Sequence, residues 1–252
     1  MRVVITGASQ GIGAALARHH ARPGATVGLI ARRPDALAAI AAEVAAAGAT
    51  PIVLPADVTD RAAIAEALAT FLRAAGGLDR VIANAGVGVP DTLRQGDAEA
   101  VARAVTVNLI GATNTLVPCL PTLLAQGRGD LVAIGSFAGL RGLPGRAAYA
   151  ASKAGLAAFM DGLRLELRGT KVRALTVLPG FIRTEMTDRL PHPPPLLAEP
   201  EVVCAAMERA LAAGRGRVVT PWTFALLAPV WTRLPEAWIA RLARPTAPAG
   251  AT

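Results

Sequence analysis

The sequence predicts an α/β fold: a doubly wound, seven-stranded parallel sheet with helices on both faces, in a single domain spanning residues 1–252. Two observations lead there. Short β-branched runs alternate with longer Ala- and Leu-rich stretches, and a glycine-rich turn follows the first run directly. A composition 53% hydrophobic and 17% charged is far from that of a disordered chain and supplies a large core.

In chain order the expected strands are Arg2–Thr6, Thr26–Ala31, Pro51–Leu54, Arg80–Ala83, Asp130–Ile134, Lys171–Leu178 and Arg217–Thr220. Between them Gly13–Ala21, Asp35–Ala47, Asp60–Ala75, Glu99–Gln126, Ala147–Leu167 and Pro200–Ala213 read as helices. Asp60 is a suitable N-cap, and Gly48 and Gly76 are suitable stops. In such sheets ligands sit beyond the carboxyl ends of the strands, so the residues just after each strand are the candidates.

Several classes of function are disfavoured. Cys119 and Cys204 lie far apart, and His19, His20 and His192 show no ligand spacing, so neither a disulfide framework nor a metal is expected. The apolar run Val3-Val4-Ile5 is too short for a signal segment, which points to the cytoplasm. The net charge is +8, but arginines such as Arg18, Arg61, Arg103, Arg164 and Arg209 are scattered, reading as a solvated surface with no nucleic-acid partner. Only Lys153 and Lys171 are lysines, so a lysine at a motif position suggests a required compact ammonium.

Thr6-Gly7-Ala8-Ser9-Gln10-Gly11-Ile12-Gly13 links the first strand to the first helix. Absent Cβ atoms let this backbone approach a pyrophosphate, whose charge suits the N–H groups and dipole of the helix end. Gly7, Ser9, Gln10, Gly11, Ile12 and Gly13 are therefore expected cofactor contacts. After the second strand an acidic residue would accept from an NAD ribose; Arg32 and Arg33 stand there instead and suit a 2′-phosphate, favouring NADP(H). Asp57 and Val58 end the third strand, where Asp57 either accepts from an adenine amino group or starts a helix. Asn84-Ala85-Gly86 ends the fourth, where small residues admit a ribose and the amide could brace neighbouring strands.

Tyr149 and Lys153 are four apart on an expected helix and share a face. A nearby ammonium favours the phenolate, so Tyr149 can exchange a proton with a substrate oxygen. Ser136 follows the fifth strand, with its hydroxyl expected in the same crevice. Asn108 is a poor helix former inside a long helix; it either satisfies a buried polar role or packs at a bend.

These motifs, in this order over residues 2–184, resemble the short-chain dehydrogenase/reductase family, whose fold is Rossmann-like. The resemblance implies that Tyr149 is the general acid/base, that Lys153 binds the nicotinamide ribose and lowers the Tyr149 pKa, that Ser136 polarises the substrate oxygen, and that Asn108 holds a relaying water. For Pro179-Gly180-Phe181-Ile182-Arg183-Thr184 it implies contacts to the nicotinamide carboxamide from Ile182 and Thr184. The implied activity is NADP(H)-dependent oxidation or reduction of a small-molecule alcohol or carbonyl. A non-catalytic NADP-sensing or protein-interaction module on the same fold is the alternative, which the complete Asn108–Ser136–Tyr149–Lys153 set disfavours.

The sequence departs from the family at Ala83, Gly135 and Gln10, which replace a common Asn, a common Ser and an often basic residue. Residues 221–252 replace a glycine-rich ending found in many tetrameric relatives, so a homo-oligomer is expected as a dimer rather than a tetramer. This apolar extension contains Pro221, Pro229 and Pro235 and is not expected to span a membrane. It suits a cover for the substrate cleft, a dimer interface, a peripheral membrane contact or plain packing on its own sheet. Substrate selection is expected from Gly88–Gly96, Phe137–Arg146 and the loop 185–199, whose apolar content suggests a hydrophobic compound. Pro191–Pro195 reads as loop and Arg244–Thr252 as frayed.

Overall fold

The structure, a computed structural model, describes residues 1–88, 93–188, 194 and 196–242. The expected loop at Pro191–Pro195, except Pro194, and the chain end Arg244–Thr252 lie outside them. Seven strands form one sheet: β1 (Arg2–Thr6), β2 (Thr26–Ala31), β3 (Thr50–Pro55), β4 (Arg80–Ala83), β5 (Gly129–Ile134), β6 (Val172–Pro179) and β7 (Arg217–Thr220). All neighbours are parallel, in the order β3-β2-β1-β4-β5-β6-β7. The direction of winding reverses between β1 and β4, the place beyond the strand ends where open parallel sheets form their ligand crevice.

Side chains alternate across each strand, so β1 sends Val3 and Ile5 to one face and Val4 to the other. The first face is covered by helices α1 (Gly11–His20) and α2 (Pro34–Ala46), which bury Leu16, Leu37 and Val44. The other is covered by α3 (Arg61–Ala75), α4 (Ala98–Gln126) and α5 (Ala147–Glu166) through Phe71, Leu116, Leu123 and Met160. Each such side chain contributes roughly 1.5–3 kcal/mol on burial. Four further helices follow: α6 (Glu185–Asp188), α7 (Glu201–Ala212), α8 (Trp222–Trp231) and α9 (Glu236–Leu242). Of these, α7 joins the first face through Val203 and Met207.

The structure refines several expected boundaries. Asp60 caps α3 by accepting from the N–H groups of Ala62 and Ala63, and Gly76 ends it in the left-handed conformation. The helix expected at Glu99–Gln126 is present but uneven, containing a π turn at Thr106–Ile110 and a 3-10 turn at Val117–Cys119. It is long and apolar enough to cross a membrane, yet its stripe of Ala104, Asn108, Ala112, Leu116 and Leu123 is buried within the fold. The extension forms α8 and α9, and Pro229 sits near the end of α8.

At the amino ends of the strands an ionic ladder, buried at Arg80 and Asp130, runs across the sheet. Arg80 of β4 lies opposite Asp130 of β5, which lies opposite Arg173 of β6, and the charged groups approach to 2.9 and 2.6 Å. Arg80 also donates to Glu208 of α7 at 2.6 Å. His19 and His20, without ligand spacing in the sequence, meet this same Glu208, with the Arg80 guanidinium occupying the group. Burial first, and then the Arg80 charge, push His20 down to about 3. Burial raises the Glu208 carboxyl, but His19 and Arg80 outweigh it and hold the group at about 2.

His20 therefore takes up its proton near pH 6.5 in the unfolded chain and near 3 in the folded one, so stability is lost as pH falls through that window. Between pH 7 and pH 5 the loss is about 2 kcal/mol, measured as a lower urea midpoint. In His20→Gln this dependence flattens.

Candidate active site

The crevice at the switch between β1 and β4 is closed by a tight set of polar contacts. Thr6, the last residue of β1, accepts through Oγ1 from the N–H groups of Asn84 and Ala85 at 3.1 and 3.2 Å. Asn84 donates its side-chain amide to the carbonyls of Thr6 and Gly7 at 3.0 and 3.3 Å. A Cβ on Gly13 would lie 2.0 Å from the Gly7 oxygen and 2.6 Å from the Asn84 amide nitrogen, so no side chain fits. Gly7 and Gly11 have φ of +67° and +54°, which glycine adopts without strain. The bracing expected of Asn84 is thus present; the role of Thr6, inside the same motif, emerges only in the structure.

The turn leads into α1, whose N-cap Gln10 has no side-chain capping bond. Instead the Gln10 oxygen accepts from Arg33 at 2.6 Å, drawing that guanidinium over the turn. Ser9 is half-buried in the loop, while Ile12 packs against the core. Arg32 is largely exposed, 3.9 Å from Asp57. Asp57 accepts at one oxygen from the N–H and hydroxyl of Thr59, both at 2.9 Å, the local turn that its helix-start reading anticipates. Val58 is buried; a Cβ on Gly111 of α4 would come within 2.6 Å of its side chain.

Ser136 follows β5 and is almost buried; its Oγ accepts from the Ala138 N–H at 3.1 Å. Burial raises the Tyr149 pKa, and the opposing influences are the Ser136 hydroxyl and the charge of Arg146, one turn earlier. Lys153 is buried on the next turn of α5, where its Nζ donates to the Ile134 carbonyl at 2.9 Å and burial lowers it to about 8. The amine thus holds the end of β5, and the Arg146 charge that opposes burial at the phenol comes from a residue the sequence reading did not single out.

Asn108 occupies the middle of the π turn and is fully buried. Its Oδ1 accepts from the Val87 N–H at 2.7 Å; its amide donates to the Val87 carbonyl at 3.0 Å and to the Ser152 hydroxyl at 2.9 Å. A π turn supplies the extra backbone that turns this amide into the fold. A Cβ on Gly86 would stand 3.0 Å from Asn108 Oδ1 and 3.4 Å from Lys153 Nζ, so the fourth-strand loop passes directly over both.

After β6, Gly180 donates its N–H to the Thr220 carbonyl at 2.7 Å, and a Cβ there would enter the Phe224 ring at 2.5 Å. Ile182 is buried and its carbonyl accepts from Thr187 at 2.9 Å; Thr184 lies against Gly11, where a Cβ would meet it at 3.0 Å. The loop after β6 therefore closes on the glycine turn. Phe224 of α8 packs edge-on against Phe137 and Phe181, with ring centroids 5.0 and 5.9 Å apart, and Trp231 lies 5.9 Å from Phe137. Arg141 donates to the carbonyls of Trp231, Thr232 and Leu234, serving the open carbonyls at the end of α8. The inner face of the extension thus packs on the loops beside Ser136. Gly135, a departure from the family pattern, leaves no room for a Cβ, which would stand 2.7 Å from Leu178.

The family model described as short chain dehydrogenase matches residues 1–194. The chain belongs to the short-chain dehydrogenase family. It is 41% identical over 223 residues to an uncharacterized oxidoreductase of Myxococcus xanthus, covering 88% of each chain. A short-chain dehydrogenase from Sphingobium yanoikuyae in complex with NADPH superposes with a TM-score of 0.80 at 30% identity, over 100% of this chain and 98% of that one. A family member from Burkholderia phymatum in complex with NAD gives 0.83 at 26% identity, over 99% and 98%. As a short-chain dehydrogenase the protein is an oxidoreductase.

Removal of the Asn84 amide leaves the Thr6 and Gly7 carbonyls of this short-chain dehydrogenase without that donor. Asn84→Ala is expected to lower stability by about 1–3 kcal/mol in urea unfolding, and Asn84→Asp, which turns a carboxylate on the same oxygens, by more.

Proposed function

We propose that this short-chain dehydrogenase is an NADP(H)-dependent enzyme transferring a hydride between the nicotinamide and a carbonyl or secondary alcohol of a hydrophobic small molecule. The observation that carries the reading is the convergence of three buried polar side chains, Ser136 after β5, Lys153 one turn beyond Tyr149 on α5 and Asn108 on α4, near the glycine turn. The residues suit the cofactor: the turn excludes side chains, α1 lacks a side-chain cap, and Arg33 is drawn over the phosphate position with Arg32 beside it. Bound NADP(H) supplies the hydride.

Ser136 holds the substrate oxygen against the Tyr149 hydroxyl, which gives up or takes the proton. Because burial raises its pKa, Tyr149 is held protonated at neutral pH, the state needed to donate during reduction. Lys153 stands where the ribose hydroxyls are expected, and its lowered pKa makes its charge sensitive above about 8. Asn108 acts through position, fastening Val87 and the loop that carries Gly86. Phe137, Phe181 and Met186 offer an apolar wall to the substrate.

Turnover is followed by absorbance of the reduced cofactor across aldehydes, ketones and quinones. Tyr149→Phe is expected to lower kcat by about 10²–10⁴ while leaving NADPH affinity unchanged; retained turnover sinks the assignment. Reduction by the native enzyme should fall on the alkaline side as the phenol loses its proton, and oxidation should rise. Arg33→Ala should weaken NADP by about tenfold or more and leave NAD nearly unaffected. Equal losses for both cofactors would remove the 2′-phosphate assignment.

A further inference from the structure

The extension turns two different faces outward and inward. On α8, Phe224 and Trp231 point to the aromatic cluster beside Ser136, whereas Trp222, Leu226 and Val230 recur every fourth residue on the opposite side. That outer face is open: Trp222 is 72% exposed, Leu226 67% and Val230 58%, and Leu227 next to it 46%. Trp238 of α9 is 59% exposed. Residues 222–231 include no charged side chain. Large apolar side chains gathered on one helix face mark an interaction surface rather than ordinary solvent exposure.

Charge decides between the possible occupants. A second copy of this chain brings the same net charge of +8 to the contact, and like charges oppose the approach. An anionic bilayer attracts it. Beyond α8 the sequence carries Arg233, Arg241 and Arg244 against the single acidic residue Glu236, and the exposed Arg233 donates to the Pro229 carbonyl at the end of the helix. At ten residues α8 is about 15 Å long, half of a hydrocarbon core, so it lies along an interface and does not span one. Tryptophan at its first position and in α9 suits the headgroup level, where an indole has both apolar and polar surroundings.

We propose that the outer face of α8, with Trp238, docks this protein on anionic phospholipid membranes. The docking stands independently of the catalytic reading. If that reading also holds, the inner side of the same helix puts the substrate crevice next to the lipid, so apolar carbonyl compounds dissolved in the bilayer are the substrate class it serves.

The test is co-sedimentation of the full chain with phosphatidylcholine vesicles, with and without phosphatidylglycerol, beside the Leu226→Gln/Val230→Gln double variant. Circular dichroism and thermal unfolding establish that the variant is folded. The wild type should pellet with the anionic vesicles, less at high salt, and the variant should lose about tenfold in partitioning. Failure of the wild type to bind anionic vesicles at low salt, or equal binding by a folded variant, overturns the proposal. So does a dimer seen by light scattering that the variant abolishes while wild-type vesicle binding is absent, since a second copy then covers the face. If the variant does not fold, Trp222→Ser replaces it and must show the same loss of partitioning. NADPH oxidation is measured separately, so loss of the catalytic reading and loss of docking give different results.

Discussion

The Gly7 carbonyl sits where a side chain on Gly13 would have to be, and the amide of Asn84 reaches across from the neighbouring strand to hold that carbonyl in place. This approach fixes the start of α1 at the reversal point of the sheet. It also sets the platform on which Thr184 rests against Gly11, bringing the loop after β6 to the turn after β1. Loops from β1, β4 and β6 converge because small residues and one amide remove the space that would separate them. Packing of the two core faces stabilises the sheet, but this contact decides what lies at its carboxyl edge.

The region around the phenol is fastened differently. Gly139 packs against the backbone of α5 at Lys153, where a Cβ would come within 2.8 Å, so the segment after Ser136 is held on the helix that carries Tyr149. Arg141, in the same segment, serves the last carbonyls of α8. Ser136, Tyr149 and the extension consequently form one packed unit. A substitution at the base of α8 can alter the placement of Ser136 without touching it.

Features written in local spacing were legible in the sequence. The strands, the glycine turn and the shared face of Tyr149 and Lys153 depend on neighbours a few residues apart, and the structure retains them. The direction of the Lys153 amine was not legible, because the Ile134 carbonyl that receives it belongs to another element. Neither was the company of His20, since Arg80 and Glu208 arrive from β4 and α7. Asn108 announced itself as a poor helix former, but its partners Val87 and Ser152 required the third dimension. Arg146 left a fainter trace, lying three positions before Tyr149 with nothing in its spacing to say that it would act on the phenol. In the extension the prolines obscured two real helices, because Pro229 falls near the end of α8, where little helix remains for it to interrupt.

The π turn at Thr106–Ile110 makes the length of α4 a fixed quantity. Such a turn is an α-helix carrying one extra residue: removing a residue inside it would restore an ordinary helix and lose the turned-in amide of Asn108, whereas removing one from the regular turns before Ala112 would rotate everything downstream by about 100°. Ala112, Leu116 and Leu123 would leave the sheet together, although none of them had changed. Descendants of this chain can exchange side chains along the helix one at a time, but a single-codon deletion shifts the whole buried stripe at once. Insertions and deletions should therefore collect in the surface connections, leaving α4 as the ruler against which related chains keep their count.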